Sequence, residues 1–153
     1  MFKSILLSIS LIAGFSTSAA AQERQWSLDA GDEDAYLIFG VPESDDVGIS
    51  FWCTNQSGEI SIFIPEADST MKPGTTVSFT ITAGRTVAKL KGKTTANEEA
   101  GSTSLETKIA DSSPIFSAMK QVDRFKVKAG GEENIFPLID ADVAGLLALC
   151  KKP

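Results

Sequence analysis

In three places along this chain, apolar and polar residues alternate and then fold back on themselves. In the first, VGISFWCT (residues 47–54) and EISIFIP (59–65) flank Asn55-Gln56-Ser57-Gly58. Pairing Thr54 with Glu59 sets Cys53 opposite Ile60, Phe51 opposite Ile62 and Ile49 opposite Ile64. All six share one face, because side chains alternate along a strand. The other face carries Ser50, Trp52, Ser61 and Phe63. The second hairpin, TVSFTITAGRTVAKLKG, turns at Gly84-Arg85, a pair that suits a turn with glycine first. Its register sets Phe79 against Leu90, Ile81 against Ala88 and, on the polar face, Thr80 against Lys89. The third, RFKVKAGGEENIFPL, turns at Gly130-Gly131 and sets Phe125 against Phe136 and Lys128 against Glu133. Pro137 cannot donate to a ladder, which places this last strand at an edge.

Two further strands are expected, AYLIFGV (35–41) and STSLETKIA (102–110), with TTANEEAG (94–101) as a polar loop. Ser113-Pro114 reads as an N-cap followed by proline at the first helical position of PIFSAMKQV. Asp140 or Asp142 caps a last helix through Cys150. There Val143, Leu146, Leu147 and Cys150 recur at helical spacing. Residues 22–33 read as a loosely held lead-in. The pattern predicts a compact antiparallel β-sandwich of about eight strands with two short helices.

The start of the chain changes the picture of where this domain works. Lys3, the apolar run Ile5 to Phe15 and Ala19-Ala20-Ala21 form a secretory signal peptide over residues 1–21, leaving 22–153 as a single β-rich domain. No second apolar run follows, so no stable membrane insertion is expected. The chain has two cysteines, Cys53 and Cys150. In an exported protein an even count suggests a disulfide, and both residues sit on the apolar faces of their elements. Such a bond would staple the C-terminal helix to the core.

Charge adds a second constraint. Without Lys3, 13 bases stand against 20 acids, a net charge of −7. A chain this acidic is not expected to bind nucleic acid. The charge is also uneven. Residues 25–71 hold ten acids and no base, whereas 72–128 hold ten bases and five acids. The simpler expectation is that the halves fold over one another and neutralise. The alternative is a bipolar surface that steers a charged partner.

Candidate chemistry is sparse. The chain has no histidine, which removes His-dependent nucleophilic catalysis and the usual zinc sites. No cofactor and no metal site are expected. Ser117-Ala118-Met119-Lys120 matches the S-x-x-K signature of penicillin-interacting enzymes, but its companion motifs S-D-N and K-T-G are missing. The bland reading puts Met119 in the core with Ile115 and Phe116, and Ser117 and Lys120 in water. Asp45 and Asp46, in GVPESDDVG, are adjacent and should point apart, unlike a general acid–base pair. They read as an acidic turn before a strand. Asp29, Asp32, Glu33 and Asp34 could offer oxygens to calcium, but a solvated turn is the commoner outcome. Asn55-Gln56-Ser57 is a formal glycosylation sequon.

The stretch G-V-P-E-S-D-D, a strand ending F-W-C and the alternating strand after it resemble small uncharacterised periplasmic proteins of proteobacteria, chiefly alphaproteobacteria. The ending, R-F-K-V, then F-P-L, then a helix ending L-C, is similar to that of type VI secretion-associated accessory proteins. The resemblance implies periplasmic or secreted placement and a small β fold, and it implies no catalytic residue. The function expected is a non-enzymatic binding or accessory module acting through protein or cell-wall contacts. The alternative is a small inhibitor of a hydrolase such as lysozyme. The partner's identity and the oligomeric state are left open. The candidate binding face is Trp52, Phe63, Ser50 and Ser61. Two readings of it compete: a face covered by the last helix or by the lead-in through Trp26, or an exposed aromatic patch of the kind enriched in binding hot spots.

Overall fold

The computed structural model describes residues 23–98 and 100–153. The signal peptide read from residues 1–21 lies outside them. Nine strands and two helices follow in the order β1 (Gln25–Ala30), β2 (Asp34–Gly40), β3 (Val47–Thr54), β4 (Glu59–Ile64), β5 (Thr76–Ala83), β6 (Thr86–Asn97), β7 (Ser102–Ala110), α1 (Pro114–Met119), β8 (Arg124–Ala129), β9 (Glu132–Pro137) and α2 (Val143–Cys150). The domain is mostly β and antiparallel throughout, and the C-terminal helix is bonded to the sheet through Cys53–Cys150.

The strands of the expected sandwich are not divided between two sheets. They form one sheet in the order β1-β2-β3-β4-β7-β6-β5-β8-β9, and the sheet is curled. Trp26 of β1 lies 6.4 Å from Phe125 of β8, and Phe39 of β2 lies 6.0 Å from Phe136 of β9, although these strands stand at opposite ends of the order. Aromatic rings from both ends therefore meet in one core, with Phe51 bridging to Phe116 and Phe125. The Trp26 indole N–H donates to the Pro137 carbonyl at 2.6 Å, which latches the first strand to the last. The expected lead-in is thus a ninth strand. Trp26 and Leu28 alternate inward along it, and burying a tryptophan holds a short, otherwise polar segment in the sheet.

All three hairpin registers are those expected. Phe51 faces Ile62, Phe79 faces Leu90, and Phe125 faces Phe136. Gly84 has a φ of 57°, the region a glycine-first turn needs. Strand β9 is an edge, as Pro137 requires. Strand β6 runs four residues into the expected loop, as far as Asn97. Thr94, fully buried there, donates to a carbonyl of the β4–β5 connection and accepts from the Thr75 amide. Its polarity reflects that task rather than a loop. Helix α1 begins at Pro114 as expected, but Ser113 makes no side-chain capping bond. Of the two expected caps of α2, Asp142 is the one used: its carboxylate accepts from the Gly145 amide at 2.7 Å.

Two connections cross the sheet and close its ends. The segment between β4 and β5 passes the ends of β7 and β6, burying Ala67 and Met71. The Thr103 hydroxyl donates to the Met71 carbonyl to hold it. Asp68, only 3% exposed, ties this segment to the β8–β9 turn. Its carboxylate accepts from the Thr70 hydroxyl, the Thr70 amide and the Gly131 amide. Those bonds, the Thr70 hydroxyl first, hold the carboxyl below its ordinary pKa. At the opposite end, α1 buries Ile115, Phe116 and Met119, while α2 lies against β1, β2 and β3.

Candidate functional site

The candidate face is on the convex side of the sheet. Cys53, Phe51 and Ile49 point into the core, so Trp52 and Ser50 point away from it. Trp52 stands beside Ser61 and Ser50 beside Phe63, as expected. Trp52 and Phe63 are half-buried, and Ser61 is buried. The expected covers do not form. Trp26 is in the core, and α2 is bonded to the core face through Cys150. Instead, Trp52 stacks on Tyr36 of β2, with ring centroids 5.9 Å apart and planes 18° from parallel.

Part of this face belongs to a larger groove of about 710 Å³. Ile38, Val47, Ser50 and Phe63 form one wall and floor. Thr95, Ala96 and Ser104 of β6 and β7 form the other side. Asp45, Glu98 and Glu106 stand around it, and none of them is in an ion pair among the described residues. Ser50 and Phe63 thus enter the groove, whereas Trp52 and Ser61 lie one row beyond it toward the β3–β4 turn. The groove exists because β4 pairs with β7, setting Phe63 opposite Glu106, and β7 pairs with β6, setting Ser104 opposite Thr95.

The acidic turn behaves as its spacing suggests. Asp46 pairs with Arg24, whose Nε donates at 2.9 Å, while Asp45 turns to the groove. Ser44 donates to the Val41 carbonyl and accepts from the Asp46 amide, closing the turn. The other acidic turn is held by Asn55, whose Nδ2 donates to the carbonyls of Gly31 and Asp32. That nitrogen is the atom the sequon offers for glycosylation, and here it is committed to the backbone. No three His, Cys, Asp or Glu residues gather as metal ligands among the described residues. Ser117 and Lys120 are exposed, and Met119 is buried with Ile115 and Phe116.

The two charged stretches close on one core but pair few of their charges directly. The acidic one builds β1 to β4, and the basic one starts β5 and runs through β8. They lie side by side along the sheet order, and among the described residues one ion pair joins them, Lys108 with Glu59. Reasoning along the sequence missed Ile38, Glu98, Glu106 and the β6–β7 wall of the groove. Their outward direction was legible in each strand's alternation, but their proximity depends on the non-local β4–β7 pairing. No protein-family model, curated protein or solved structure matches the chain, and among the described residues no helix is long and apolar enough to cross a membrane.

Proposed function

We propose that this chain is a non-enzymatic binding module of an exported compartment, and that its working surface is the groove beside Phe63. The occupant is a protein segment that carries basic side chains on an apolar strip. The observation that carries this reading is the joining of an apolar floor, Ile38, Val47 and Phe63, to three carboxylates, Asp45, Glu98 and Glu106, that have no ion-pair partner among the described residues. Apolar area supplies affinity, and the acidic rim selects and steers a basic partner. The disulfide supports an oxidising compartment, in keeping with the signal peptide read at residues 1–21. Inhibition of a basic hydrolase such as lysozyme is a special case of the same surface, favoured by the same rim.

The test is titration of isotope-labelled protein with a synthetic peptide of alternating lysine and leucine. Saturable amide shifts should centre on Ile38, Ser50, Phe63 and Ser104. Glu106→Lys should weaken binding about tenfold or more, and added salt should weaken it further. Shifts scattered over the surface, or binding indifferent to Glu106→Lys, would remove the reading. Stoichiometric, salt-sensitive inhibition of lysozyme that Glu106→Lys abolishes would establish the inhibitor case.

A further inference from the structure

A second hollow, of about 390 Å³, lies across β5, β6 and β8, lined by Ser78, Phe79, Thr80, Lys89, Leu90, Lys91, Lys128 and Gly130. Register explains its composition. On the outer face Thr80 stands between Lys89 of β6 and Lys128 of β8, and Ser78 stands opposite Lys91. Neighbouring strands are about 4.8 Å apart, so the two lysines flanking Thr80 start about 10 Å from one another and can close on one ligand. The hollow forms because β8 pairs with β5 only over Phe79–Thr82 and then turns away at Gly130. The uncovered stretch of β5 becomes its floor. None of Lys89, Lys91 and Lys128 is in an ion pair among the described residues, although Arg124 and Lys126 on the same strand are.

We infer that this hollow binds a phosphomonoester group on an organic carrier. Three ammonium groups and two hydroxyls offer more donors than a carboxylate's two oxygens can use. A phosphate monoester has three terminal oxygens and close to two negative charges, which match them. The hollow is larger than a bare phosphate requires, and the remaining space has room for a sugar ring or the glycerol of a lipid headgroup. The site shares no residue with the groove of the proposed function, so the two readings stand or fall separately.

The experiment maps amide shifts at constant ionic strength with three probes: inorganic phosphate, glucose 1-phosphate, and vesicles of phosphatidylcholine doped with phosphatidic acid. Unmodified glucose and acetate serve as blanks. Saturable shifts should centre on Ser78, Thr80, Lys89, Lys91 and Gly130, and the tightest of the three probes identifies the source as free phosphate, phosphorylated sugar or lipid headgroup. Lys89→Gln with Lys128→Gln should weaken binding about tenfold or more, whereas Arg124→Gln, outside the hollow, should leave it within about twofold. These are exposed positions where substitution does not threaten folding. Unsaturable shifts spread over every lysine, equal losses in Arg124→Gln, or stronger competition by duplex DNA than by any phosphate probe would overturn the inference.

Discussion

The strands β1 to β4 and the strands β5 to β9 enclose one core, but they are held to it by different means. The first group is acidic and carries the covalent staple, with Cys53 of β3 bonded to Cys150 of α2. Backbone bonds from Gln56 and Gly58 to the carbonyls of Leu149 and Cys150 add to that seam. The second group is basic and has no covalent tie. It relies on hairpins, on threonines that satisfy crossing carbonyls, and on the Asp68 clamp. The lesson is that one curled sheet can be held by a covalent staple on one side and by polar clamps on the other, and still carry two separate concavities, one rimmed by carboxylates and one by lysines.

The largest blow to this contrast is removal of the staple. Cys53→Ser should destabilise the domain by about 2–5 kcal/mol, since the bond joins residues 97 positions apart. Denaturant melts measure the loss. Amide exchange should rise first in β3 and α2, and a rise that begins in β8 and β9 instead would break the comparison. Next comes the latch. Trp26→Phe keeps an aromatic side chain in the core but is smaller and leaves the Pro137 carbonyl without its donor; the lost donor alone should cost about 1–3 kcal/mol in the same melts, with a further loss from packing.

Phe63→Ala sharpens the contrast between core and surface. Phe63 is half-buried, so its loss should cost about 1–2 kcal/mol, less than the 3–5 typical of a buried phenylalanine. Affinity for the basic peptide should fall at least tenfold. A melt that drops as far as for Phe51→Ala would assign Phe63 to packing alone.

The second group's clamp should announce itself through pH. Asp68 has a depressed pKa in the folded chain, so the unfolded chain takes up its proton at higher pH. The stabilisation is therefore present above the ordinary aspartate range and lost as pH falls through the folded value. Below about pH 4 the wild-type melting temperature should fall more steeply than that of Asp68→Asn. Parallel curves would show that the clamp does not titrate with folding. The smallest effect is expected from Ser117→Ala with Lys120→Ala, exposed positions on α1 and at its C-cap, within about 0.5 kcal/mol in melts. Covalent labelling by a penicillin-type probe, lost in Ser117→Ala, would give that pair a role beyond the surface.

Local structure was legible in the sequence because local signals create it. The turns at residues 55–58, 84–85 and 130–131 fix three registers, and alternation then assigns every side chain in them to a face. Cys53 could be assigned to the core by the same rule, and Cys150 by the helical spacing it shares with Val143 and Leu146. What could not be read is what stands beside what across non-consecutive strands. Phe63 was recognisable as an outward aromatic, but Glu106 reaches it only through the β4–β7 pairing, and Lys128 reaches Thr80 only through β5–β8. Strand β1 was missed for a different reason. Asp29 and its acidic neighbours mask the short alternation of Trp26 and Leu28, and only the core reveals how much one tryptophan contributes.

The order of the strands also sets a schedule. Within β1 to β4 and within β5 to β7, each strand pairs with the next one along the chain, so both meanders can assemble from nearby contacts. The β4–β7 and β5–β8 seams must wait, because each joins segments far apart in sequence. During that wait β4 is an open edge bearing Ile60, Ile62, Phe63 and Ile64, with Glu59 as its single charge. Such an edge can pair with another chain as readily as with its own β7. Crowding is therefore most dangerous to this protein in the interval before Glu106 and Lys108 arrive to close the seam.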